Sequence, residues 1–351
     1  MARAKTYAVI AGITVAAIVI TVIAFTTSAN LQRNPAEPKS TLRVAVVTDA
    51  LFSDKGWGES SLNAAKFIES KYGFEVATED NISIADIEST LKKYAKEGYD
   101  LIIAHGFQWG DPALRVGKQY PGAKIVVFTG LVESENVASI FPQQQQGSFL
   151  LGAIAGMMTQ TNVIGYVGGE EYPNVVNIFE GYKQGAKAVN PNVKIIGTYL
   201  NDWDNPAKGK EAATSIIRQG VDVIFHVADS SGQGVIKSAR ENGVYALGAV
   251  QDQNSQAPDT VLTSFVLDVD KAYSQAVNST LESSFIGEIR KPGIEAEKGA
   301  AGDGIVYLSS FHELDSQVPT SVKSKLQELK NDLLEGRIVV PEKFEETSLP
   351  A

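Results

Sequence analysis

The feature that most constrains this 351-residue chain is a rhythm: short apolar β-rich runs alternate with segments of helical spacing. LRVAVV (42–47) reads as a buried strand, and Leu62, Ala65 and Ile68 behind it recur at helical intervals. FEVAT (74–78) is a second strand. Ser83 stands as an N-cap before Ile84, Ile87, Leu91 and Ala95 on one helical face, with Gly98 at the position of a C-terminal cap. DLIIAHG (100–106) and KIVVFTG (124–130) are two more buried runs. Strands apolar on both faces and separated by helices belong in a parallel sheet covered on both sides. The order restarts near Val163. EGYDLII (97–103) resembles QGVDVIF (219–225) at an offset of 122, and that offset lays strand 42–47 on 164–169 and strand 74–78 on 196–200. The match is short, and any two doubly wound domains share such a rhythm. The expectation is therefore α/β, with two doubly wound lobes of similar layout, whether or not they arose by duplication.

Beyond the second lobe, VLTSFVL (261–267), a helical stretch at 269–285 and GIVYLSS (304–310) are too few for a third domain and should return across the two lobes. Val322, Leu326, Leu329, Leu333 and Leu334 form a last amphipathic helix. The resulting division is lobe 1 at 42–142 plus 264–290 and lobe 2 at 143–263 plus 291–345, joined by a hinge.

Ahead of the lobes, residues 7–26 (YAVIAGITVAAIVITVIAFT) contain no charge. About 20 such residues span a bilayer. Arg3 and Lys5 precede them, which predicts a cytoplasmic stub at 1–6, a transmembrane anchor at 7–26 and a body on the extracytoplasmic side of a cell membrane. The alternative is a secretory signal cleaved near Thr27-Ser28-Ala29, although the apolar stretch exceeds the usual signal core. Residues 27–41 hold two prolines and no periodic apolar pattern, the composition of an extended linker.

Composition narrows the chemistry. With no cysteine there is neither thiol catalysis nor a lipid anchor on cysteine, and with three scattered histidines a zinc site is not expected. No cofactor is expected: Gly168-Gly169 lacks the dinucleotide fingerprint, and P-loop, G-x-S-x-G and H-E-x-x-H patterns are absent. The formal net charge is −10, and −13 once residues 1–41 are set aside, so the body should repel nucleic acid.

In open α/β sheets ligands sit beyond the carboxyl ends of the strands, and between two lobes the cleft is the default site. The residues just past each strand are Thr48-Asp49 with 52–57, His105 to Trp109, Thr129, Gly168 to Glu170, Asn201-Asp202-Trp203, Ala228 to Ser231, and Gln251-Asp252-Gln253. Aromatic faces in this set suit stacking on a planar ring, and its carboxylates and amides suit hydroxyls and ring nitrogens. Each has a plainer role too: Trp57 as packing, Asp49 as a turn cap, His105 and His226 as hydrogen-bonded core residues.

At these strand ends the sequence resembles the basic membrane protein (BMP) family of ABC transporter substrate-binding proteins, which includes purine nucleoside-binding lipoproteins. The motifs are VAVVTD (44–49), DKGWGES (54–60), EGYDLII (97–103), GSFLLGAIAGMMT (147–159), IGYVGG (164–169), FEGYKQGAKAVNP (179–191), NPAKGKEAA (205–213), GVDVIFHVA (220–228) and VLTS (261–264). The resemblance spans about residues 42–290. It implies a type I periplasmic-binding-protein fold, a partner ABC importer permease and a ligand of the nucleoside class. Carried over residue by residue, it gives Trp57 and Phe179 as aromatic partners on opposite lobes and Asp49 as the aspartate ending the first strand. Asp252 and Gln253 are kept from a family G-V-D-S-D-Q run, and Phe107 is expected along the wall. Thr129 and Val250 stand where the family has aspartates, and Leu267 where it has a lysine.

Together these readings describe a membrane-anchored solute-binding protein that takes a small molecule into the inter-lobe cleft, without enzymatic activity. The rivals are an extracellular nucleosidase-like or sugar-modifying enzyme, which needs a positioned acid and base, and a sensor ectodomain, which needs a cytoplasmic signalling domain.

Overall fold

The computed structural model describes residues 41–345. The expected cytoplasmic stub, membrane helix and all but the last residue of the linker lie outside the described residues. Among those described, no helix is long and apolar enough to cross a membrane.

The chain begins with β1 (Val44–Thr48), α1 (Trp57–Tyr72), β2 (Val76–Glu79), α2 (Ile87–Lys96), β3 (Leu101–His105), α3 (Gly110–Gln119), β4 (Lys124–Phe128) and β5 (Val137–Ile140). It repeats the scheme with α4 (Gln144–Met158), β6 (Val163–Gly168), α5 (Pro173–Val189), β7 (Lys194–Tyr199), α6 (Pro206–Ile217), β8 (Val223–Val227), α7 (Asp229–Asn242), β9 (Tyr245–Val250) and β10 (Val261–Leu267). It closes with α8 (Val269–Leu281), β11 (Ile289–Arg290), β12 (Val306–Leu308) and α9 (Thr320–Leu334). Two sheets result, ordered β11-β5-β4-β3-β1-β2 and β12-β10-β9-β8-β6-β7. All pairings are parallel except β10 with β12.

The two orders superpose strand for strand. Val44 pairs with Leu101 as Ile164 pairs with Val223, which makes the offset 122 at the third strand but 120 at the first. β1, β3 and β8 are buried along their whole length, so the absence of any polar alternation in their sequence follows from helices on both faces.

Three connections cross between the lobes. The first runs through 141–143 into α4. The second leaves β10 for α8, which packs beside α1 through the Tyr72 hydroxyl bonded to Asn278 Oδ1 at 2.8 Å. The third joins β11 to β12 and is pinned by Lys271, whose ammonium donates to Glu295 Oε2 at 2.9 Å, Ala300 O at 2.8 Å and Gly304 O at 2.7 Å. One boundary expected from sequence is corrected here. Residues 264–267 complete β10 in the second sheet, so the chain returns to the first lobe at 268 rather than 264. The strand is buried throughout and continues pairing with β9 past the expected break.

The second lobe is assembled on α4, which is buried at nearly every position. Its apolar all-round sequence follows from that position. α4 and α5 approach closely because glycines face backbone across the contact. A Cβ on Gly152 would lie 2.0 Å from the Tyr182 carbonyl oxygen, and one on Gly185 would lie 1.8 Å from that of Phe149.

Candidate ligand-binding site

Each sheet reverses its strand order between its first and third strands, β1 and β3 in one lobe and β6 and β8 in the other. Loops diverge at such a switch point and leave a crevice at the carboxyl ends. A cavity of about 740 Å³, its open mouth included, lies there and is walled by both lobes. Lobe one contributes Asp49, Asp54, Trp57, Phe107, Gln108 and Thr129. Lobe two contributes chiefly Tyr172, Asn174, Ile178, Trp203, Asp204 and Asp229.

Trp57 is the first residue of α1, and its ring lies against the His105 ring with centroids 3.8 Å apart. His105 is fully buried. Its Nε2 lies 3.2 Å from the Trp57 carbonyl oxygen, which can only accept, so Nδ1 receives the Tyr273 hydroxyl at 2.8 Å. Burial lowers the imidazole pKa to about 3, so the ring is neutral and serves to seat Trp57. Across the cavity, Trp203 follows β7 and its ring covers Gly169, where a Cβ would come within 2.2 Å of it. Tyr172 sits beside it, centroids 6.1 Å apart, and burial raises the phenol pKa to about 12.

Four aspartates complete the wall. Asp49 ends the first strand and accepts from Trp109 Nε1 at 3.0 Å and from the Gln108 amide. Asp54 accepts the backbone N–H groups of Gly56 (2.8 Å), Gly58 (2.6 Å) and Glu59 (3.1 Å), satisfying amides that the start of α1 leaves without helical partners. Asp229, from the other lobe, accepts the Trp57 N–H. Asp204 accepts from Ser230. Burial raises the pKa of all four, and for Asp229 the nearby Asp54, Asp204 and Asp49 raise it further. The wall residues include no lysine, arginine or histidine.

Amides clasp the lobes at the rim. Gln233 donates to Asp54 O at 3.1 Å, Gln251 to Gly56 O at 2.7 Å, and Gln253 and Gln256 to Lys55 O at 3.4 Å each. All four come from the second lobe and meet one short loop of the first.

Asp49, Trp57 and Phe107 thus stand in the cavity wall. Three expected residues do not. Phe179 has no exposed surface and stacks on Tyr166 at 4.1 Å inside its own lobe. α5 brings Asn174, Val175 and Ile178 to the cavity, while Phe179 is enclosed in the core of its own lobe. Asp252 points outside the cavity, its Oδ2 2.6 Å from His312 Nε2. Gln253 is buried and spent on structure, its Oε1 accepting the Ala249 N–H at 3.1 Å. The second-lobe aromatics in the wall are Tyr172 and Trp203, of which Trp203 is among the strand-end residues with Asp229 but carries no motif of its own. Thr129 and Val250 occupy matching places at the ends of β4 and β9, both in the wall and both left-handed, with φ of 66° and 70°. A β-branched residue is strained in that conformation.

Comparison with known proteins bears on this geometry. Residues 41–342 match the Bmp family, described as ABC transporter substrate-binding protein PnrA-like. A CD4+ T-cell-stimulating antigen of Listeria monocytogenes is 31% identical over 324 residues, covering 86% of this chain and 88% of that one. A purine-binding protein of Brucella abortus is 28% identical over 306 residues, covering 86% and 84%. A solute-binding protein of an ABC transporter system from Aeropyrum pernix shares the fold, with a TM-score of 0.77 at 24% identity over 86% of this chain and 94% of that one. With two α/β lobes, a cavity between their strand ends and a family match over nearly the whole body, the chain belongs to the Bmp family of ABC transporter substrate-binding proteins.

Proposed function

We propose that this protein captures a small planar-ring molecule of nucleoside size between its lobes and delivers it unchanged to an ABC importer. The observation that supports this most is the cavity itself: Trp57 and Trp203 stand in its wall on different lobes, so a ring between them contacts both at once. A ligand that touches both lobes favours the closed arrangement by its contacts there, and the crossing segments are the natural hinge. The division into lobes proposed for this motion is 42–142 with 268–290 against 143–267 with 291–345. A purine-binding relative supports the ring. Asp49 and Asp54 are held by donors of their own lobe, which suits positioning rather than acid and base roles.

Incubating the purified protein with a nucleoside mixture tests this reading. Recovery of an intact compound from the complex supports it, and steady conversion of any member to products contradicts it. We further propose that residues 7–26 hold the body to the outer face of a membrane. External protease should then release the body by cutting within 27–41, and a mature N-terminus near Ala29 would refute the retained anchor.

A further inference from the structure

We infer that the ligand of this cleft carries a positive charge: a planar organic cation held against Trp57 and Trp203, with its charged or amino-bearing edge turned to Asp204 and Asp229. This rests on the cleft being the binding site, as proposed above. Three observations point to it. The first is the charge of the wall, with four aspartates and no basic side chain. An anionic ligand would meet repulsion with nothing to offset it, so nucleotides and sugar acids are excluded by the same geometry. The second is how unequally the four carboxylates are already satisfied. Asp49 has two side-chain donors and Asp54 has three backbone donors. Asp229 receives one backbone N–H and the more exposed Asp204 one side-chain bond, so both keep acceptor capacity for a ligand at the cavity wall. The Asn174 amide oxygen, also in the wall, is buried with no partner. The unfilled demand is for hydrogen-bond donors.

The third observation is that four aromatic rings, Trp57, Phe107, Tyr172 and Trp203, stand in the wall beside its aliphatic residues. Aromatic faces are electron-rich and attract cations, more strongly where water is excluded. A neutral ring would stack equally well but would leave the surplus carboxylates crowded. A cation relieves their repulsion and uses the aromatic faces at the same time. Burial raises the pKa of all four aspartates and neighbouring carboxylates, Glu59 and Asp202 among them, add to it, the response of a site short of positive charge.

The test uses two matched pairs in which charge changes and shape barely does: adenosine with 1-methyladenosine, and nicotinamide with 1-methylnicotinamide. All three tryptophans of the chain are at the cavity or bonded to its wall, so intrinsic fluorescence reports occupancy. At pH 7.5 the cationic member of at least one pair should bind 10-fold or more tightly than its neutral partner. In Asp204→Asn and Asp229→Asn that advantage should fall toward one. Equal or tighter binding of the neutral member in both pairs overturns the inference, as does an advantage that survives both substitutions. If neither cation binds, the inference also fails. A thermal-shift screen then separates it from the broader reading: a neutral hit leaves the substrate-binding function standing, and no hit in any chemical class removes both.

Discussion

The crowding of carboxylates in the cleft has a consequence for the unliganded protein. A Cβ placed on Gly56 would lie 3.5 Å from Asp229 Oδ1 and 4.0 Å from Asp54 Oδ1, so the two oxygens are no more than 7.5 Å apart. Two full charges at that limit repel by about 2 kcal/mol at an effective dielectric constant of 20. Asp229 responds by holding its proton above the ordinary 3.8, first through burial and then through Asp54, Asp204 and Asp49. A carboxyl whose folded-state pKa is raised binds more protons in the native than in the unfolded state. Its contribution to stability therefore falls as pH rises from the ordinary value through the raised one, and stays lower above it. Asp229→Asn keeps the shape and an oxygen to accept the Trp57 N–H but cannot ionise. The variant should be more stable than the parent by about 1–2 kcal/mol at pH 7.5, a rise of roughly 2–4 °C in Tm. The gap should close near pH 4. Differential scanning calorimetry across pH 4–8 measures it. A variant less stable than the parent at neutral pH, or a gap that does not change with pH, would refute the reasoning.

Other substitutions probe the rest of the molecule. Trp57→Ala and Trp203→Ala should each weaken binding of the best ligand 10-fold or more by calorimetric titration, through lost stacking and buried area. Phe179→Ala should instead cost about 3–5 kcal/mol of stability in urea unfolding and leave the affinity of the folded protein near that of the parent, since the ring is enclosed in its own lobe. Replacing Gln233 and Gln251 together by alanine removes two inter-lobe hydrogen bonds worth about 0.5–1.5 kcal/mol each. Faster ligand release in stopped-flow and a larger radius of gyration in the absence of ligand are expected. Gly185→Ala should destabilise by about 1–3 kcal/mol or more, because the added carbon must displace the Phe149 carbonyl.

Much of the fold is legible in the chain because burial on both faces writes strands as unbroken apolar runs, and LIIAH and VIFHV recur at the same place in each lobe. The second crossing begins four residues later than the sequence suggests, because β10 and the loop before α8 differ in pairing rather than composition. The site was less legible. Trp57 opens a helix directly after a strand and loop, so its exposure at the cleft follows from order alone. Phe179 and Ile178 are neighbours on α5, and residue type alone does not say which of them reaches the cavity. Asp252 follows a strand as Asp49 does, but a left-handed Val250 turns the chain so that its carboxylate meets His312 instead. Backbone conformation of that kind has no simple signature in residue type. Of the two histidines expected as hydrogen-bonded core residues, both are buried, His105 is bonded to Tyr273 and Trp57, and the ring nitrogens of His226 have no hydrogen-bond partner among the described residues.

A crystal structure of the protein with its tightest-binding cation bears most directly on the central claim. The account predicts a ring between Trp57 and Trp203, closed lobes, and ligand donors on Asp204 and Asp229. A ligand seated outside the cleft, in the groove beside Lys237 and Arg240, or one that meets only a single lobe, would contradict it.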